Sequence, residues 1–237
     1  MIERVAVVPH PPLLVPELVV ADDPDVRLVR EACLAAAAEL AASPRWVAVG
    51  ADPTGPRTLT AAAAGTFRGY GVDVVARLSR NDSEPDPAMP LPALVAGWLR
   101  DRAGADEVPV HLVQNDLSPD ECQAFGERLA GDQDEPVGLL VLGDGSHRHG
   151  ERAVGRPDPR ATSFDDAVHA ALAAADQDAL LALDPTEAAE LGAVGRAPWQ
   201  VLAGVLAADG RRWKSVDARQ LVPFGVAYHV AVWEPIR

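Results

Sequence analysis

The sequence has almost no lysine. Lys214 is the only one among 21 basic residues, which removes the phosphate-binding loop whose lysine must follow a glycine turn. Cysteine is nearly as scarce. Cys33 and Cys122 form no CxxC pair, so a disulfide framework, a thioredoxin-type motif and zinc-finger spacing are all absent; both fall on apolar helical faces and read as reduced core thiols in a reducing compartment. No apolar run reaches the length of a membrane span, and the stretch after Met1–Arg4 is too short for a secretory signal. The expectation is therefore a cytoplasmic protein with no membrane partner. Positive charge is also short: 21 Lys and Arg against 35 Asp and Glu leave a formal charge of −14. With no basic stripe, this balance argues against a nucleic-acid partner, although one local arginine could still serve a small anionic ligand. Internal repeats, low-complexity tracts and clear linkers are missing too.

What is present is a core. The chain has 237 residues, of which 48 % are apolar, enough to bury a sizeable interior. Apolar strands alternate with helical stretches. Val5–Val8, Trp46–Val49, Val72–Leu78, Val108–Val113 and Val137–Leu142 read as strands, and Arg212–Val216 and Gly225–Trp233 close the chain as two more. In "VAYHVAVW" the alternation predicts one buried face. Between the strands, Val26, Val29, Cys33, Ala36 and Leu40 recur at helical steps behind an Asp23-Pro24 cap. Leu91–Arg102 reads as a helix. "LSPDEC" opens another, with Ser118 as N-cap, Glu121 closing a capping box, and Leu117 and Cys122 as a hydrophobic staple. Phe164–Ala175, Pro185–Leu191 and Pro198–Ala208 follow. Val137–Leu142 has no polar break, so both its faces should be covered. The expected fold is α/β: a single domain over 1–237, with a central mixed, largely parallel sheet covered by helices on both faces.

In such sheets ligands gather beyond the carboxyl ends of the strands. Three segments there carry polar groups. His10 follows the first strand in "VAVVPHPPLLVPEL", where Pro11, Pro12 and Pro16 fix an ordered loop. Asp52 follows the second in "GADPTGP". Asp144, Ser146, His147 and His149 follow Val137–Leu142 in "GDGSHRHGE", whose glycines permit unusual backbone angles. If the strands are parallel neighbours, His10, Asp52 and His147 converge on one cleft. Two histidines and a carboxylate on one face would suit non-haem iron, and zinc accepts the same ligand types. Against this stands the commoner fate of a strand-end histidine, a hydrogen-bonded rim or core residue. On that basis His149 reads as solvated, His169 as part of a charged helix, His229 as pointing outward from the last strand, and His111 as packed. Glu17 and Glu151 read as surface charges. "GDGSHR" is not a dinucleotide fingerprint, because Arg148 stands where the third glycine is needed. Nor is Ser146 in a nucleophile elbow, since position 144 is aspartate.

Five fragments, "VVPHPPLLVPEL", "GDGSHR", "GRPDPRATSFDDAV", "ALLALDPTEAAELGAVG" and "PFGVAYHVAV", together resemble the class III extradiol ring-cleavage dioxygenases. The likeness is to the catalytic-subunit type of protocatechuate 4,5-dioxygenase and its Memo-type relatives, and it runs over nearly the whole chain. It implies an α/β fold with a mixed sheet and a homodimer. It also implies Fe(II) held by two histidines and a glutamate, with O2-dependent cleavage of a catechol-like aromatic and a further histidine as acid–base catalyst. By motif, His10 resembles the first metal-ligating histidine, and His147 the acid–base histidine with Asp144 as its polar partner. The chain departs from the pattern at two ligands. Asp52, after Ala51, stands where the second histidine belongs, and Gln220, Leu221 and Val222 fill the stretch that carries the glutamate.

Three functions are therefore expected to compete. One is an atypical metal-dependent oxidoreductase using His10, Asp52 and His147 with Fe(II), or Zn(II) as the alternative. The second is a non-enzymatic descendant, with no metal, that keeps the cleft for a small molecule or a protein partner. The third is a metal-independent hydrolase or isomerase using His147 and Asp144 as an acid–base pair.

Overall fold

The computed structural model describes residues 1–19 and 23–236. Its backbone is a seven-stranded sheet in the order β3-β6-β2-β7-β1-β9-β8. The strands are β1 (Ile2–Val8), β2 (Trp46–Ala51), β3 (Arg57–Leu59), β6 (Val110–Val113), β7 (Val137–Leu142), β8 (Trp213–Leu221) and β9 (Tyr228–Pro235). The inner four, β6, β2, β7 and β1, are parallel. Two flanking strands run the other way, β3 against β6 and β9 against β1, and the edge strand β8, antiparallel to β9, returns to the direction of the inner four. A separate two-stranded ribbon pairs β4 (Ala64–Thr66) with β5 (Val75–Arg77). The fold is thus α/β with a central mixed sheet, parallel in its middle.

Helices cover both faces, which is why β2 and β7 carry no polar side chain at any position. Val5, Val7, Val47, Val49, Leu139 and Val141 enter one core with α3 (Pro119–Gly131), α4 (Arg160–Ala174) and α7 (Arg196–Asp209). Ala6, Val8, Ala48, Leu140 and Leu142 enter the other with α1 (Pro24–Glu39) and α2 (Leu91–Ala103). Two short helices, α5 (Gln177–Leu181) and α6 (Pro185–Leu191), complete the first layer. Helices α3 and α7 meet backbone to backbone. A Cβ on Gly126 would lie 2.2 Å from the Val201 carbonyl oxygen, and one on Gly204 2.2 Å from that of Gln123.

Local signals place the helix starts. Asp23 accepts the Asp25 and Val26 amides. Ser118 and Glu121 form the capping box in both directions, and Asp184 accepts the Glu187 amide. Two expectations need correction. Of Val72–Leu78 only Val75–Arg77 is strand, and it pairs in the ribbon rather than the main sheet. Strand β9 is buried on both faces from Tyr228 to Trp233, not one, because helices pack on either side of it. Strands β3 and β4 and helix α5 are short elements that the sequence pattern did not signal. No helix among the described residues is long and apolar enough to cross a membrane.

Candidate functional site

The carboxyl ends of β1, β2 and β6 open into a cleft of about 790 Å³, a volume in the range of small-molecule sites. His10 and Asp52 both line it, with Thr54, Arg57 and Asn115. The rest of the lining is mostly apolar, a wall that includes Tyr70, Met89, Leu91 and the prolines Pro53, Pro87, Pro90 and Pro92. Two glycines make that wall possible. A Cβ on Gly50 would come within 2.6 Å of Pro92 Cβ, and one on Gly65 within 2.5 Å of Met89 Cβ. The start of α2 can therefore press onto β2, and Met89 onto β4.

His10 is held before any ligand arrives. Its backbone N–H donates to Asp144 Oδ1 at 2.8 Å, and its Nδ1 lies 3.6 Å from the same oxygen. The ring is buried, and Nδ1 has no hydrogen-bond partner among the described residues. The prolines after it form two successive 3-10 turns, Pro12–Leu14 and Pro16–Leu18. Leu14 and Val15 are driven into the core, while Arg30 of α1 donates to the carbonyls of Leu13 and Leu14. The proline run is thus a pinned strap that fixes where the histidine stands. The Asp144 carboxylate also raises two neighbours that burial already pushes up, the Cys33 thiol and the Tyr228 hydroxyl.

Asp52 is committed to its own turn. Its Oδ1 accepts the Thr54 amide at 2.8 Å and the Thr54 hydroxyl at 2.9 Å, the pattern that makes aspartate a turn former. Its Oδ2 faces the Arg57 guanidinium at 3.9 Å. Asn115 reaches the cleft because Arg196, buried at the start of α7, donates to the carbonyls of Asn115 and Leu117 and to Gln200 Oε1. That clamp on the β6–α3 loop was not readable from sequence, since the residues it joins lie far apart along the chain.

His147 does not share this cleft. Its Nδ1 donates to the Val154 carbonyl at 3.0 Å. Its Nε2 is pressed on Gly192, where a Cβ would lie only 1.8 Å away. The expected convergence of three residues is therefore a convergence of two, His10 and Asp52, with Asp144 behind His10. The reason is the Gly192 turn after α6, which captures the ring.

The loop that carries His147 is nonetheless tightly built. Gly145 N–H donates to the Ala227 carbonyl, and Ala227 N–H returns to that of Ser146. The Ser146 hydroxyl donates to the Leu191 carbonyl, and its amide donates to both oxygens of Asp165. Asp165, fully buried, also accepts from His149 Nε2 at 2.6 Å and His229 Nε2 at 2.9 Å. His149 is thus not solvated, and His229 does not point outward. The His229 ring is fully buried and meets Trp199 edge-on, with centroids 5.5 Å apart. One buried carboxylate gathers two imidazoles that neither spacing nor periodicity had joined. The remaining expectations hold in part. His111 is packed against Phe125 and bonded to Thr58, Glu17 and Glu151 are exposed, and His169 buries an Nδ1 that has no partner among the described residues.

These donors do not fit the two-histidine, one-glutamate iron set that the family resemblance implies. His10 supplies one imidazole. Asp52 is taken up by Thr54 and Arg57. Gln220, in the stretch where the glutamate was sought, turns its amide to Asp166. Among the described residues no group of three or more His, Cys, Asp or Glu side chains is placed to hold a metal ion.

Neither a family model nor a curated protein matches the chain. Solved structures do match it. One is an uncharacterized protein, JW3007, from Escherichia coli K12, which is 17 % identical, with a TM-score of 0.56 over 98 % of this chain and 99 % of that one. At that identity the likeness is one of fold.

Proposed function

We propose that this protein binds a small organic molecule in the cleft beside His10, and that the iron chemistry of the family it resembles has been given up. One observation carries the reading: the carboxylate at the second ligand position, Asp52, is spent on Thr54 and Arg57. What the cleft offers instead is recognition. Tyr70 is 43 % exposed and stands with Met89 and the proline wall, which suits a flat apolar body. Arg57, His10 and Asn115 supply polar groups for its head. An aromatic carboxylate meets both demands, with its ring on the wall and its anion on the Arg57 fork.

Calorimetric titration with benzoate and with catechol, in chelator-treated buffer, tests the reading. Saturable benzoate binding without metal is expected, weakened about tenfold in Arg57→Ala, the loss of one charge-assisted hydrogen bond. A parallel anaerobic titration with Fe(II) and Zn(II) guards the other side. Near-stoichiometric Fe(II) binding that His10→Ala abolishes, together with aromatic binding only in its presence, would overturn the proposal in favour of a metal-dependent oxidoreductase.

A further inference from the structure

We propose that the cleft carries a proton-transfer activity, in which His10, oriented by Asp144, moves a proton on the carbon next to the carbonyl of an aryl-substituted 2-oxo acid. This rests on the reading that an aromatic carboxylate binds there, and it assigns to that ligand the one further group the chemistry needs.

The pair is built for a charge that comes and goes. His10 and Asp144 follow adjacent parallel strands, β1 and β7. Asp144 is anchored twice: its Oδ1 accepts the His10 amide at 2.8 Å, and its own carbonyl accepts the Gly195 amide at 2.8 Å. Gly143 permits that approach, since a Cβ there would lie 2.4 Å from Gly195 Cα. The Asp144 side chain is only 19 % exposed, and the His10 ring is the one basic side chain within ion-pair distance of it among the described residues. A carboxylate so placed favours an imidazolium beside it and does far less for the neutral ring. A general base needs that difference, because its charge appears only as the proton moves. Nδ1 is shut off from solvent and stands 3.6 Å from Asp144 Oδ1. That is longer than a hydrogen bond, but acid–base pairs are often loose without ligand and tighten around one. With Nδ1 closed off beside Asp144 and the ring lining the cleft, Nε2 is the nitrogen left to meet a ligand.

The lining limits the chemistry. Among the described residues no serine, cysteine or lysine lines the cleft, and the Thr54 hydroxyl is spent on Asp52. A covalent acyl or Schiff-base intermediate therefore has no partner here, whereas proton transfer requires only the imidazole. The ligand supplies the reacting carbon. With its ring on the Tyr70 and Met89 wall and its carboxylate on Arg57, the segment between them is a methylene next to a carbonyl. Nε2 takes one methylene proton. The C–H electron pair becomes the second bond between the two carbons, and the carbonyl π pair moves onto oxygen. Asn115 lines the same cleft, its side chain has no partner among the described residues, and its amide donates to that oxygen. The imidazolium then gives its proton to oxygen, which forms the enol, or back to carbon, which restores the oxo acid. Nothing is oxidised or reduced.

The test follows exchange of the methylene protons of phenylpyruvate by proton NMR, in chelator-treated deuterated buffer, with benzoate binding measured by calorimetry on the same proteins. The full chain should exchange them faster than buffer alone, and benzoate should inhibit it. His10→Gln should lose the acceleration about a hundredfold while still binding benzoate within about threefold of the wild type. Asp144→Asn keeps an oxygen for the His10 amide but removes the charge. It should lower kcat about tenfold with KM unchanged, a split that a merely structural role would not give. Should His10→Gln fail to fold, Asp144→Asn decides the question alone. Benzoate binding with exchange no faster than in buffer, exchange undiminished in either variant, or exchange only with added Zn(II) would overturn the proton-transfer role and leave the binding reading standing. Absence of both binding and exchange would overturn the two together.

Discussion

Removing the Asp165 carboxylate should be among the most damaging single changes available to this chain. The residue is fully buried, and it satisfies the Ser146 amide and the Nε2–H groups of His149 and His229. In Asp165→Ala these donors lose their acceptor. His149 borders a pocket and can turn to water, so its loss counts for little. The Ser146 amide and the His229 ring cannot, since both residues are fully buried. At about 1–3 kcal/mol for each stranded donor the expected cost is about 4 kcal/mol. For a domain of this size that lowers Tm by about 8–16 °C. Asp165→Asn keeps one acceptor oxygen but sets an amide N–H against a second donor, so it should cost about half as much. Urea unfolding followed by tryptophan fluorescence measures both, with Trp199 against His229 as a local reporter. An Asp165→Ala cost under about 1 kcal/mol would refute the view that this carboxylate organises the loop.

Three further outcomes are expected. Gly192→Ala should destabilise strongly, because φ there is +70° and the new methyl would lie 1.8 Å from His147 Nε2; the double variant with His147→Ala should recover part of the loss in thermal melts, and no recovery would place the fault in the backbone angle alone. Cys33 and Cys122 are fully buried, with the Cys122 thiol pushed up to about 11 by burial, so a chromogenic disulfide reagent should label neither until denaturant is added; fast labelling of the native chain would contradict the packing. Burial lowers the His111 pKa, opposed by the Asp132 charge. As pH falls through the ordinary histidine range, near about 6.5, the unfolded chain takes up that proton first and stability drops. Wild type should therefore lose more stability on acidification than His111→Phe does, and parallel pH profiles would show that the ring titrates normally in the fold.

How much of this could be read from the sequence depends on the range of the forces involved. Caps act over three residues, so Asp23, Ser118 and Asp184 announced their helices. Strands β2 and β7 are continuous apolar runs, and the buried parallel centre of the sheet followed from them. Strand β4 escaped, and β5 was read as part of a longer strand, Val72–Leu78, because three-residue strands carry no period that fixes their bounds or partner. The site divides in the same way. His10 and Asp52 share a cleft because strand order alone brings their loops together. His147 was lost to it through Gly192, a contact between distant segments. His149 and His229 were misplaced because a single carboxylate, Asp165, sits on helix α4 and collects both; pattern within one element cannot reveal a partner in another.

The position of β1 bears on how the molecule is made. Val5 pairs with Leu139 on one side and with Trp233 on the other. The earliest strand in the sequence is therefore the last to find its neighbours during synthesis. While the chain emerges from the ribosome, a strand apolar from Val5 to Val8 must wait for β7 before one edge is covered, and for β9 before the second is. Such long-range closure slows folding and leaves sticky edges open to other chains. The pinned turns after His10 then have a second use: with Leu14 and Val15 packed back toward α1, this end of the chain has a partner close in sequence before its strand neighbours exist.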